Sequence, residues 1–253
     1  MFGACLKQDT SLLIHDGLQY LDVLKILNDQ LRPSTYFEIG TNRGDSTAAF
    51  PCDALCVDPD FMFQMSPLGR RERSFFMQMS SDAFFRAHKI RDFFPAGPDI
   101  CFLDGLHRFE FLLRDFINTE AECRPNSVVL VHDCLPFNPR MAERTMRYDE
   151  TEAEATRDFW TGDVWRILPT LKKYRPDLRI MQLDCDPTGL VVCTNLDPKS
   201  EILSRHYNQI VDEMMNLDLM GFGLQPLWHL YPTIDSKYLA AHPEDLTALL
   251  NIQ

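Results

Sequence analysis

The sequence contains no run of about 20 apolar residues, so it offers no membrane-spanning helix. It has no surplus of positive charge. Its 25 Lys and Arg stand against 37 Asp and Glu, a formal net charge of −12. A general nucleic-acid binder gains affinity by neutralising phosphates, and docking on anionic lipid needs basic residues too, so both non-specific modes are excluded. The opening residues, Met1 to Asp9, lack the basic, apolar and small-residue order of a secretory signal. The eight cysteines include no Cys-x-x-Cys pair, and Cys52 with Cys56 has no downstream counterpart. That removes the usual zinc-ribbon and dithiol spacings. Several cysteines lie in apolar runs (Cys56, Cys101, Cys193), and reduced thiols in a cytoplasmic protein are expected. Internal repeats, low-complexity tracts and a clear linker are also missing.

What remains is a chain with 45% apolar and 11% aromatic residues, enough to build a sizeable core. At 253 residues it suits one decorated domain or two small ones. The stretch Tyr36 to Ser46 organises the reading. Thr35 to Ile39 is a short apolar run that predicts a buried strand. Gly40 and Gly44 follow, and Thr47 to Phe50 predicts the start of a helix. A strand, a glycine turn and a helix start bring backbone N–H groups to a ligand. The turn lacks two things. There is no middle glycine, which a Gly-x-Gly-x-x-Gly dinucleotide site requires, and no Lys follows Gly44 as the Walker pattern demands. Glu38, two residues before Gly40, would repel a pyrophosphate but would suit a cationic amino-acid end.

The run Glu38-Ile-Gly40-Thr-Asn-Arg-Gly44 resembles the first motif of class I S-adenosylmethionine (SAM)-dependent methyltransferases. In that family this loop holds the methionine part of SAM. The resemblance implies cofactor contacts from Glu38, Gly40, Thr41, Asn42, Gly44 and Ser46.

Ala54 to Asp58 predicts a second strand that ends in a carboxylate about 20 residues past the first. Nucleotide folds place an acid there, where it accepts hydrogen bonds from a ribose diol. Asp58 is the ribose candidate; Asp58-Pro-Asp60 as a mere turn is the alternative. Ser74 to Met79 predicts a third strand. In the family a polar residue after that strand meets the adenine amino group, which marks Ser81 and Asp82; either also suits a plain helix cap.

Pro98 to Asp104 predicts a fourth strand and Ser127 to Cys134 a fifth. β-rich runs separated by helical segments argue for a parallel, doubly wound sheet, whose ligands sit beyond the C-terminal strand ends. Glu38, Asp58, Asp104, His107, His132 and Asp133 all fall at that edge, and Asp104 is a cofactor candidate as well. The segments Asp104-Gly-Leu-His107 and His132-Asp133 resemble a branch of small-molecule O-methyltransferases that includes sugar-methylating enzymes of macrolide pathways. The resemblance implies that Asp104 and Asp133 hold magnesium and that His107 acts as base. The neighbours of Asp133 depart from the pattern. His132 and Cys134 suit magnesium poorly, whereas His with carboxylates suits a transition metal, so use of magnesium stays open.

Residues 138–163 form a long connection after the fifth strand, with the acidic run Asp149 to Glu154 and Trp160 and Trp165 around its end. Long insertions of this kind are commonly lids, and the tryptophans are candidates for stacking on a sugar. Asp177 to Leu183 and Gly189 to Cys193, separated by Asp186-Pro-Thr-Gly189, predict a hairpin.

The expected fold is therefore α/β and Rossmann-like, with a doubly wound, mostly parallel seven-stranded sheet and a terminal antiparallel hairpin. Residues 1–198 make the methyltransferase domain, with an N-terminal helix at 9–31, and residues 199–253 a C-terminal extension. That extension is open to three roles: packing on the core, covering the cleft or forming a homodimer contact. The expected partner is a small-molecule acceptor, with neither nucleic acid nor membrane. An NAD(P)-dependent oxidoreductase and a non-catalytic SAM- or nucleotide-binding module are the competing classes.

Overall fold

The computed structural model describes residues 16–63, 66, 68–69, 71–146 and 159–250. A single sheet runs through it in the strand order β3-β2-β1-β4-β5-β7-β6-β8. The strands are β1 (Thr35–Ile39), β2 (Asp53–Asp58), β3 (Ser74–Gln78), β4 (Ile100–Leu103), β5 (Val128–His132), β6 (Arg179–Leu183), β7 (Leu190–Thr194) and β8 (Thr233–Ile234). β1 to β5 are mutually parallel. β7 lies antiparallel between β5 and β6. The seven expected strands are present, and the C-terminal extension adds an eighth of two residues beside β6.

The central strands read as unbroken apolar runs because both of their faces are covered. β4 and β5 are buried along their whole length. Alternate residues of β1 feed two cores: Phe37 and Ile39 pack with Leu55, Leu103 and Phe116 on one face, and Tyr36 packs with Ala54, Phe102 and Leu24 on the other. The helices that matter for the site are α1 (Tyr20–Leu31), α2 (Asp45–Ala48), α3 (Ser81–Ala87), α4 (Ile90–Phe93), α5 (Phe109–Glu122) and α6 (Ile167–Tyr174).

The N-terminal helix is shorter than the expected 9–31. It begins at Tyr20, and residues 9–15 lie outside the described residues. The reason is local. Gly17 N donates to Asp184 O, and Gln19 bridges to Asp186, so the chain before Tyr20 is spent on the β6–β7 connection. The acidic run at 149–154 also lies outside the described residues. The flanks of the expected lid are packed down, with Met141, Ala142 and Thr161 to Trp165 all buried. Trp165 is 1% exposed within the core, so it is not available to stack on a ligand. The extension contributes Ile234, Leu239, Leu246, Leu249 and Leu250 to the core that also holds Val23, Leu24 and Leu27 of α1.

Candidate active site

The Gly40–Gly44 turn is built by backbone that only small residues tolerate. Gly40 has φ of +90° and Gly44 of +83°, a region where a Cβ is costly. A Cβ on Gly40 would also run into the Asp104 carbonyl, so the turn after β1 and the end of β4 touch backbone to backbone. Glu38 anchors this turn. It shares a strand face with Tyr36, whose hydroxyl donates to Glu38 Oε1 at 3.1 Å. Ser46 and Thr47 of α2 donate their hydroxyls to its two carboxylate oxygens. Burial pushes the Glu38 carboxyl up to about 7, against the opposing pull of those hydroxyl bonds. Glu38 is fully buried and Ser46 nearly so. They contact each other and shape the loop from beneath. Thr41 is buried beside Glu38. Asn42, at φ of +45°, is exposed at the tip.

Asp58 closes the loop from the side. Its Oδ2 accepts from Asn42 N at 2.8 Å and its Oδ1 from Asp60 N at 2.7 Å. A carboxylate offers about four acceptor positions, so capacity for a diol remains. After β3 the structure separates the two candidates. The cap of α3 is Ser80, whose hydroxyl accepts from Ala83 N, so neither Ser81 nor Asp82 has that role. Asp82 is clamped by Arg114 through two bonds of 2.8 and 2.7 Å, which also hold its carboxyl below the usual range. The Ser81 hydroxyl bonds instead to Asp115 of α5.

Beyond β4 and β5 the polar groups converge. Asp104, His107 and Asp133 each bring one ligand atom within 4.8 Å of the others. His107 Nε2 lies 3.0 Å from Asp133 Oδ2 and 3.4 Å from Asp104 Oδ1. His132 Nδ1 lies 3.5 Å from an oxygen of each carboxylate, and the Tyr20 ring lies tilted against its ring with centroids 4.2 Å apart. Burial works against charged imidazoles, yet the carboxylates prevail and lift His107 to about 9 and His132 to about 10. Burial opposes the charged form of Asp104 as well, but His132 and His107 hold its carboxyl well below the usual range.

Three partners in this cluster were not visible in the sequence. Thr188, in the β6–β7 turn, donates to Asp133 Oδ1 at 2.6 Å. It reaches there because antiparallel β7 pairs Leu190 with His132. Asp133 itself sits at φ of +59°, a strained conformation for a residue with a Cβ. The Trp160 carbonyl accepts from His107 Nδ1 at 2.8 Å, and the Trp160 ring lies over the imidazole at 5.2 Å. The third is Tyr20. Only the His107 to Asp133 proximity had a signal, namely acids and histidines at the ends of successive strands.

The donor set fits a cation. With its Nδ1 proton aimed at Trp160, a neutral His107 turns the Nε2 lone pair toward two carboxylates. That arrangement calls for positive charge between them, from the ring's own proton or from a divalent ion. Asp104 Oδ1 and both nitrogens of His132 are buried without a hydrogen-bond partner, as expected of groups arranged around an ion or polar ligand. Two carboxylates with imidazole suit manganese-like or other transition ions better than magnesium.

Residues 37–134 match the profile of a family described as "Methyltransferase domain". The matched segment runs from β1 to just past β5 and contains Glu38, the glycine turn, Asp58, Asp104, His107 and Asp133. In three dimensions the chain is similar to the SAH-bound methyltransferase PaMTH1 of Podospora anserina, at 12% identity and a TM-score of 0.50, over 70% of this chain and 78% of that one. It also overlaps the O-methyltransferase TomG of Streptomyces achromogenes, involved in tomaymycin synthesis and solved with SAM, at 16% identity and a TM-score of 0.48, over 69% and 78% of the two chains. An O-methyltransferase from Bacillus cereus in complex with SAH gives 13%, 0.49, 69% and 80% for the same four quantities. No curated protein sequence matches the chain. The chain thus has the expected Rossmann-like fold, and among the described residues no helix is long and apolar enough to cross a membrane.

Proposed function

We propose that this protein is a methyltransferase that takes a methyl group from SAM and places it on a hydroxyl oxygen of a small-molecule acceptor, with a divalent cation beside the acceptor. The reading is carried by one observation: Asp104, His107 and Asp133 converge beyond β4 and β5, and Asp104 also abuts the glycine turn. The family match over 37–134 supports methyl transfer, and the SAH held by the similar Podospora anserina methyltransferase supports SAM as donor.

The glycine turn, with Thr41 and Asn42, would hold the methionine end of SAM, and Asp58 its ribose. Asp104 and Asp133 would hold the cation, which supplies charge that makes an acceptor hydroxyl more acidic. His107 accepts the hydroxyl proton at Nε2. Trp160 fixes the tautomer this requires by taking the Nδ1 proton into a hydrogen bond. Thr188 fixes the Asp133 carboxylate. The chain's contribution is then approach geometry and placement of charge.

Calorimetry with SAM and with NAD separates this reading from an oxidoreductase, and methyl transfer to a panel of hydroxylated small molecules tests the activity. His107→Ala should lower turnover by about 10²–10⁴-fold, the range for loss of a general base, while SAM binding persists. Asp104→Asn and Asp133→Asn should each weaken manganese binding to the full chain. Full turnover in His107→Ala, or binding of NAD without SAM, would overturn the reading.

A further inference from the structure

The site holds two imidazoles, and the chemistry above uses only one of them. His132 is the last residue of β5. Side chains alternate along a strand, so it shares the sheet face of Leu130 and Val128. The Tyr20 ring lies 4.2 Å from the imidazole and the Phe102 ring 5.9 Å. Only 7% of the residue is exposed. Neither ring nitrogen has a hydrogen-bond partner among the described residues. Nδ1 nevertheless faces both acids, 3.5 Å from Asp104 Oδ1 and 3.5 Å from Asp133 Oδ1.

A buried polar atom without a partner costs free energy, so a histidine placed here for packing alone would weaken the fold. His107 is held differently. Its Nδ1 is committed to the Trp160 carbonyl, which leaves the Nε2 lone pair to take a proton. A lone pair bound to a metal cannot also accept a proton, so the base and an imidazole ligand must be different rings. His132 is the ring left for the second role. Ligand atoms about 2.0–2.2 Å from a tetrahedral ion stand about 3.3–3.6 Å apart. The two separations at His132 Nδ1 match that edge. Magnesium, with octahedral oxygen ligands at about 2.1 Å, needs neighbours about 3.0 Å apart and gains little from a nitrogen.

We infer that His132, through Nδ1, is the third protein ligand of the cation beside Asp104 and Asp133, and that it makes the site select a zinc-like transition ion over magnesium. The inference rests on the cation of the proposed function and names the side chain that chooses its identity. Three protein ligands leave one tetrahedral position open, the pattern of catalytic zinc sites, and the acceptor hydroxyl is the group to fill it. Thr188 takes one lone pair of Asp133 Oδ1 and leaves another for the ion. The rings of Tyr20 and Phe102 wall in the imidazole, so Nδ1 keeps its direction.

The test is calorimetric titration of the chelator-stripped full chain with zinc, cobalt(II) and magnesium. Carboxylates alone also hold zinc, so the readout is the margin between zinc and magnesium. His132→Asn should weaken zinc binding by at least about tenfold and change magnesium binding by less than about threefold. His132→Asp, with oxygen in place of nitrogen, should weaken zinc and strengthen magnesium. His107→Ala should keep zinc affinity within about threefold of the wild type. The cobalt(II)-loaded wild type should show the intense visible absorption of a four-coordinate ion, lost in His132→Asn and kept in His107→Ala. Should His132→Asn fail to fold, the wild-type cobalt spectrum decides, because an octahedral ion absorbs weakly. If the wild type binds none of the three ions, the cation of the proposed function falls and this assignment with it. If zinc binds but its affinity follows His107 and not His132, or the cobalt spectrum is octahedral, the assignment alone is overturned.

Discussion

Glu38 holds its carboxyl group among the hydroxyls of Tyr36, Thr41, Ser46 and Thr47. Its carboxyl titrates at about 7 in the fold against an ordinary 4.5, so the folded chain keeps a proton that the unfolded chain releases. The stability this brings is full below about pH 4.5 and is lost as pH rises through about 7. On the order of 3 kcal/mol is at stake at most. Glu38→Gln should flatten that slope in urea unfolding followed from pH 4.5 to 8, and an unchanged slope would show that other groups set it. Single residues were legible in the sequence where chemistry and strand position coincide: Asp58, Asp104, His107 and Asp133 each follow a strand. Glu38 and Ser46 were legible as parts of the turn but not as partners of one another, because nothing in their spacing shows that α2 folds its hydroxyls back over the strand. Asp115 gave no signal, since an acid in a helix normally faces water.

Elements decide where His107 points. The segment from Trp160 to Asp163 packs against it as a tight turn: Trp160 bonds the ring, Gly162 at φ of +57° lies against the His107 carbonyl, and Asp163 Oδ1 accepts from Phe109 N at the start of α5. Arg144 and Arg166 neutralise buried Asp163. Gly162→Ala would place a Cβ on the His107 carbonyl in a backbone conformation that alanine resists. A stability loss of about 1–3 kcal/mol is expected, with a fall in kcat larger than any change in cofactor affinity. Equal losses in both would show that the turn supports the whole cleft and not the imidazole. The strands were readable in order because buried parallel strands write themselves as apolar runs. The start of α1 was not, because apolar residues at mixed spacing continue upstream of Tyr20 while the backbone at Gly17 to Gln19 is drawn to the β6–β7 connection.

At the scale of the molecule, the extension is part of the sheet and of the core. β8 covers the edge of β6, and Leu239, Leu246 and Leu249 close the face of α1. Fully burying a leucine or isoleucine contributes about 1.5–3 kcal/mol, and a domain has only about 5–15 kcal/mol to lose. A chain ended at residue 198 should therefore fail to give a cooperative thermal transition, and a sharp transition near that of the full chain would show the extension to be dispensable. The sequence of 199–253 shows helical apolar spacing in part, but a two-residue strand has no periodicity to find.

Thr188 adds a matter of timing. The ribosome delivers the glycine turn, Asp104, His107 and Asp133 well before it delivers the hairpin, and only insertion of β7 between β5 and β6 brings the threonine hydroxyl to the Asp133 carboxylate. A nascent chain lacking that strand would display every recognisable motif while its key acid swung free. Competence is thus conferred by nearly the last piece of sheet to be made.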